Sequence, residues 1–238
     1  MNIAYTERYA AYRAEEESVF SHPSGRREEW LVPLEDGYAV RTRYFWEEKA
    51  GYCLHASESV LLDGEGRTVY TWRNLNDDAE FAALVRHRDG RRYLVFRREL
   101  YGYSVLEIET GEDFHFVPSQ SLPAEGEKFE ETFIWTGVHY DPVSSLLAAS
   151  GCYWACPNET VLLDFSQPLA ERPWIELHEL LDPAYDLYDD IDFDRWDGEG
   201  GVHLRVFDVR TMQYEPLHLP AKRLGHLRRS LKNRRDDT

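Results

Sequence analysis

Four short segments of the same grammar recur along this chain. They are Ser59-Val60-Leu61-Leu62-Asp63, Ser104-Val105-Leu106-Glu107-Ile108, Thr160-Val161-Leu162-Leu163-Asp164 and Leu204-Arg205-Val206-Phe207-Asp208. Their last residues are 63, 108, 164 and 208, so successive copies lie 45, 56 and 44 residues apart. The long interval holds a Pro/Gly/Glu-rich insertion at 118–128. Each copy leads through a turn into another strand-like run, as at 68–72, 113–117 and 212–219. A period of about 40–45 residues with several strands in each is the pattern of a unit that buries its apolar face only against its neighbours.

The turns between these runs are explicit. Glu35-Asp36-Gly37, Asp63-Gly64-Glu65-Gly66, Arg88-Asp89-Gly90, Thr110-Gly111-Glu112 and Asp197-Gly198-Glu199-Gly200-Gly201 all place glycine beside a short polar residue. Such pairs reach positive φ cheaply and close hairpins. Strands are expected between them at 38–46, 58–63, 67–72, 81–87, 91–97, 103–109 and 113–117. Further strands follow at 132–140, 145–150, 160–165, 203–209 and 212–219. Many short strands with turns every ~8–12 residues indicate an all-β domain. They group as units at 38–72, 81–117, 129–177 and 184–219, the last cramped at its start.

The third unit carries a resemblance. Tyr140-Asp141-Pro142-Val143-Ser144-Ser145 resembles the hairpin turn before the second strand of a WD40-like propeller repeat. Leu146-Leu147-Ala148-Ala149-Ser150-Gly151 resembles that strand, and Thr160 to Asp164 the third. The likeness extends over roughly residues 36–219. The Gly-His and Trp-Asp pairs that mark WD40 repeats do not recur from unit to unit. The resemblance therefore implies the architecture alone: an all-β, small propeller-like array of about four four-stranded blades. Residues 28–34 (EEWLVPL) are expected to add a strand to the last blade and close the ring, which would remove a free sheet edge. A sandwich or barrel is the alternative that the same strand spacing permits.

Three segments are expected: an N-terminal helical stretch (1–27), the propeller-like body (28–220) and a basic tail (221–238). Residues 4–17 are rich in alanine, glutamate and arginine, with Tyr5, Tyr9 and Tyr12 at helical spacing, so they should form a helix that packs tyrosines on the body. The tail carries +5 against −22 for residues 1–220. Leu224, Leu227 and Leu231 give it an amphipathic helical face, which is expected to dock near the acidic run 182–197.

Composition narrows the functional classes. Apolar residues make up 42% and aromatics 14%, enough to bury a core. The net charge of −17 opposes non-specific nucleic-acid binding by the body. No run approaches the ~18 apolar residues of a membrane span. The N-terminus shows no basic region followed by an apolar one, and the three cysteines (Cys53, Cys152, Cys156) are too few for a disulfide scaffold. A cytoplasmic, bacterial-type protein is the expectation.

No nucleophile elbow, P-loop or H-E-x-x-H occurs. Cys152 and Cys156 lack a second cysteine pair, and Glu176-Leu177-His178-Glu179 lacks a second histidine, so neither a metal nor another cofactor is expected. Asp190, Asp192 and Asp194 alternate as a Ca²⁺ loop begins, but Arg195 and Gly201 stand where that loop needs glycine and glutamate. On a strand the three aspartates share one face. His115 and His139 are expected to be packed or rim residues.

In a propeller, the loops between second and third strands gather on one face. Here these are 98–101, 151–159 and 195–200, bearing Arg98, Tyr101, Tyr153, Trp154 and Trp196. With Asp190, Asp192 and Asp194 they form the candidate binding set, since exposed aromatics and arginines dominate binding hot spots. The expectation is a non-catalytic macromolecule-binding module, of the kind of an inhibitor or immunity protein, which masks a basic protein partner. The alternative is a hydrolase acting on a carbohydrate or small molecule at the propeller axis.

Overall fold

The computed structural model describes residues 1–75, 81–123, 126–181 and 187–225. Two helices open the chain, α1 (Glu7–Glu16) and α2 (Ser18–Ser21), and antiparallel strands follow. The first sheet is β1 (Gly25–Pro33), β2 (Ala39–Lys49), β3 (Tyr52–Leu62) and β4 (Thr68–Leu75). The second is β5 (Ala82–Arg86), β6 (Arg92–Phe96), β7 (Tyr103–Glu107) and β8 (Asp113–Phe116). The third is β9 (Ile134–Asp141), β10 (Leu146–Cys152), β11 (Asn158–Asp164) and β12 (Trp174–Glu176). The fourth is β13 (Tyr188–Trp196), β14 (Val202–Asp208) and β15 (Gln213–Leu219).

Each sheet is a meander in chain order, the succession that defines a propeller-like all-β fold. The recurring segments fall on β3, β7, β11 and β14. Each is the penultimate strand of its sheet, so the repeat read from sequence is a structural equivalence. Two details differ from expectation. The fourth sheet has three strands among the described residues rather than four. The segment expected to close the last sheet is β1, and it pairs with β2 instead: Trp30 faces Thr42, Leu31 faces Arg41 and Val32 faces Val40. The cause is local. Asp36 (φ 55°) and Gly37 (φ 77°) turn the chain back at once, with Leu34 N–H donating to the Tyr38 carbonyl at 2.8 Å. A tight turn makes sequence neighbours into sheet neighbours.

The chain divides into two compact units, residues 1–84 with 93–132, and 85–92 with 133–238. In the first, Val40, Leu61, Trp72, Leu94, Phe96 and Leu106 form one core cluster. Val19 of α2 joins Phe45, Leu54, Ala56 and Leu75 in another. In the second unit, Leu146, Leu162, Leu177, Ile191, Leu204 and Leu219 are all buried in a single cluster.

α1 is capped by Thr6, whose Oγ1 accepts from Tyr9 N–H at 3.3 Å. Tyr9 is buried as expected and Tyr12 half-buried, but Tyr5 is exposed. The helix is anchored by Glu99: Tyr9 Oη donates to it at 2.8 Å and Arg13 Nη1 at 2.8 Å. At the other end, residues 221–225 are helical, Leu224 is buried with the second unit's core, and Arg223 donates to the Leu180 carbonyl at 2.8 Å. The rest of the expected tail, with Leu227 and Leu231, lies outside the described residues, as do 182–186 of the acidic run. No helix among the described residues is long and apolar enough to cross a membrane.

Candidate functional site

A group of possible metal-ligating side chains lies in the second unit, where β10, β11 and β12 meet. A five-residue loop (153–157) joins β10 to β11, with Ala155 at φ 58° and Cys156 N–H closing on the Tyr153 carbonyl at 3.0 Å. Glu159 follows at the start of β11. β12 pairs with β11 so that Val161 faces Glu176. A single 3-10 turn (Leu177–Glu179) then drives Leu177 into the core and brings His178 back to the sheet.

His178 is held between two carboxylates, with Nδ1 2.6 Å from Glu159 Oε2 and Nε2 3.2 Å from Glu176 Oε2. The other oxygen of each carboxylate is also occupied. Glu159 Oε1 accepts Thr160 N–H at 2.8 Å, and Glu176 Oε1 accepts the Tyr153 hydroxyl. The side chains of His178, Glu159 and Glu176 are 12%, 10% and 17% exposed. Burial pushes the Glu159 carboxyl up, opposed by the bonds from His178 and from the Thr160 amide. This arrangement can hold a proton or a cation. Of its members, Tyr153 alone belonged to the expected binding set; Glu176 and His178 were read as an incomplete metal motif. Glu159 ends the candidate loop 151–159 but is not in the expected binding set, because only the β11–β12 register brings it to His178.

The remaining second-unit candidates scatter around this cluster. Trp154 projects from the loop, 61% exposed. Asp190 is tied to the loop's end, accepting Asn158 N–H at 2.8 Å and the Tyr214 hydroxyl at 2.5 Å. Asp192 pairs with Arg205 at 2.9 Å, and Asp194 with Arg195. β13 has register shifts between Tyr188 and Ile191 and between Phe193 and Arg195, so the strict alternation expected of the three aspartates is broken. Each already has a protein partner. Trp196 Nε1 donates to the His139 carbonyl at 3.1 Å, and its ring meets Phe193 at 5.5 Å. His139 stacks on Phe193 at 4.1 Å, and burial lowers its pKa.

Arg98 and Tyr101 lie in the first unit, between β6 and β7. Arg98 lines an open polar cleft of about 460 Å³ with Arg13, Arg73, Tyr70, Asp113 and His115. His115 is packed there, with Nδ1 2.9 Å from Ser104 Oγ, and burial and Arg98 push its pKa down to about 4. Tyr101 lines a different, mostly apolar cavity of about 210 Å³ with Tyr9, Tyr12 and Phe129. Arg98 and Tyr101, neighbours on one loop, thus face separate cavities.

One further surface of the first unit was not anticipated. β1 is the outer strand of its sheet, and Trp30, Leu31 and Val32 are 64%, 64% and 53% exposed. No strand pairs with its outer side among the described residues. The signal was present as three successive large apolar residues, but it was assigned to ring closure.

No protein-family model matches the chain, and no curated protein matches it. Among solved structures it is similar to a bifunctional GH43-CE protein of Bacteroides eggerthii, at 11% identity and TM-score 0.34, over 82% of this chain and 24% of that one. It is also similar to a eukaryotic initiation factor, at 10% identity and TM-score 0.32, over 81% of this chain and 55% of that one. The chain spans only these fractions of both proteins, and likenesses so distant carry no argument about activity.

Proposed function

We propose that the protein is a non-catalytic protein-binding module that captures an extended, basic segment of its partner along β1. The observation that carries this reading is the exposed run Trp30-Leu31-Val32 on an edge strand. Edge strands are ordinarily blunted by charge, proline or bulges, because their free N–H and C=O groups recruit other strands. Here the blunting is confined to the ends of β1, with a register shift between Arg26 and Glu29 and Pro33 as the last residue. The stretch between them stays open. An added strand would gain main-chain hydrogen bonds, with Trp30 and Val32 offering contacts on one face and Leu31 on the other. The net charge of −17 favours a basic partner and opposes a second copy of this chain.

The test uses a fluorescent extended peptide of alternating valine and lysine. Saturable binding is expected, with new hydrogen-exchange protection at residues 29–33. Trp30→Ser/Val32→Ser should weaken it at least tenfold while leaving the fold intact, since both side chains are mostly exposed. Equal binding of a valine–glutamate peptide would overturn the charge argument. A dimer lost in the same double variant would make a second copy the occupant. The other reading, a hydrolase acting on a carbohydrate or small molecule, has one geometric support: Glu159 and Glu176 gathered with Tyr153 and His178. Turnover of nitrophenyl glycosides or esters that is lost in Glu176→Gln would favour it.

A further inference from the structure

We propose that Glu159, Glu176 and His178 form a binding site for a divalent transition-metal ion such as zinc or manganese. One imidazole nitrogen and one oxygen from each carboxylate lie within 4.8 Å of one another. Ligand atoms around a tetrahedral ion with bonds of about 2.1 Å stand roughly 3.4 Å apart. The carboxylates reach different ring nitrogens, Glu159 at Nδ1 (2.6 Å) and Glu176 at Nε2 (3.2 Å), so an ion bound at one nitrogen would open that contact by less than about 1 Å and draw the other carboxylate to the same edge of the ring.

Two independent features point to a cation rather than to a purely structural hydrogen-bonded trio. The first is charge. Glu159 and Glu176 are largely buried, and neither meets a lysine or arginine among the described residues; His178 is their only basic neighbour. Two other buried carboxylates have a guanidinium, Asp208 with Arg210 at 2.5 Å and Glu99 with Arg13 at 2.8 Å, whereas buried Asp141 is held by the Val143 and Ser144 amides. Two half-desolvated carboxylates sharing one histidine lack a full counter-charge. The second is orientation. The Thr160 amide holds Glu159 Oε1 and the Tyr153 hydroxyl holds Glu176 Oε1, so in each carboxylate the other oxygen is the one turned to His178, and an ion would compete with the imidazole for it. Outer partners of this kind fix ligand geometry at metal sites. Tyr153 is thereby a positioning residue.

The donor set of one nitrogen and two oxygens suits zinc or manganese better than a thiolate-seeking ion. Protein stripped with chelator should bind one equivalent of zinc by calorimetry, and Mn²⁺ should show a bound electron paramagnetic resonance spectrum. Glu176→Gln and His178→Ala should each weaken binding at least tenfold, and Tyr153→Phe by a smaller factor. Cys152→Ser/Cys156→Ser should leave it unchanged. Loss of binding in the cysteine variant would move the site to the thiols and overturn the proposal. So would unchanged affinity in Glu176→Gln, or no binding by the wild-type protein at sub-millimolar metal. If Glu176→Gln fails to fold, by circular dichroism, Glu159→Gln supplies the same comparison.

Discussion

The Arg13–Glu99 pair offers the sharpest test of how the N-terminal helix is held. The two side chains are 8% and 9% exposed and 2.8 Å apart. Glu99 also accepts from Tyr9 and Tyr12, while Arg13 also donates to the Arg98 and Arg73 carbonyls at 2.9 and 3.1 Å. Burial pushes the Glu99 carboxyl up, against the pull of Arg13. Arg13→Met leaves that carboxyl buried without its counter-ion, which costs about 3–5 kcal/mol. Glu99→Gln keeps an acceptor for Tyr9 but leaves the guanidinium with only the longer, more exposed Glu17 pair at 3.6 Å, at a cost of about 2–3 kcal/mol. In the double variant neither charge is stranded, so its cost should fall short of the sum by at least about 2 kcal/mol. Urea titrations of the four proteins measure the cycle, and hydrogen exchange in α1 shows where stability is lost. Arg13→Met carries a sign of its own. With the pull of Arg13 gone, the folded carboxyl pKa rises further above its unfolded value. The folded state then binds the extra proton, so this variant should gain stability as pH falls from 7 to 5, relative to wild type. Additive single costs within about 0.5 kcal/mol, or no relative gain in acid, would refute the reasoning.

His115 is held near a pKa of about 4, against about 6.5 when unfolded. The unfolded chain therefore takes up the proton first, so this residue should remove up to about 3 kcal/mol of stability as pH falls from 6.5 to 4; His115→Gln should flatten that part of the wild-type urea-midpoint profile. Gly102 has φ 91°, and a Cβ there would lie 2.1 Å from the Phe116 carbonyl oxygen, whereas one at Gly111 (φ 75°) meets nothing within 4 Å. Thermal melts should accordingly show Gly102→Ala losing more than about 3 kcal/mol and Gly111→Ala about 1 kcal/mol, the latter from left-handed backbone alone. Leu224 is 1% exposed. Leu224→Asp should cost about 3–5 kcal/mol, and Arg223→Ala, which loses one exposed bond to Leu180, about 1 kcal/mol or less; equal denaturation midpoints for these two would mean that the leucine does not anchor the helix.

The meander order, the strands and the penultimate position of each repeated segment were legible because they rest on local chemistry. Glycine and aspartate close turns wherever they stand together, and alternating or β-branched runs extend between them. Even the misplaced β1 was misjudged against a local rule, since Glu35-Asp36-Gly37 already required it to pair with β2. The candidate sites obey no such rule. Glu159 and His178 are 19 residues apart, and meet only because β11 and β12 pair with Val161 against Glu176. Glu99 stands 86 residues from Arg13, and the two are joined only when α1 lies on the first unit. The aspartates of β13 kept their positions in the sequence, but Tyr214, Arg205 and Arg195 decided how much of their charge reaches solvent. Periodicity and turn chemistry act over a few residues and so are written along the chain. Burial, counter-charge and ligand geometry depend on which side chains the register and packing bring together, and these arise only when distant strands meet.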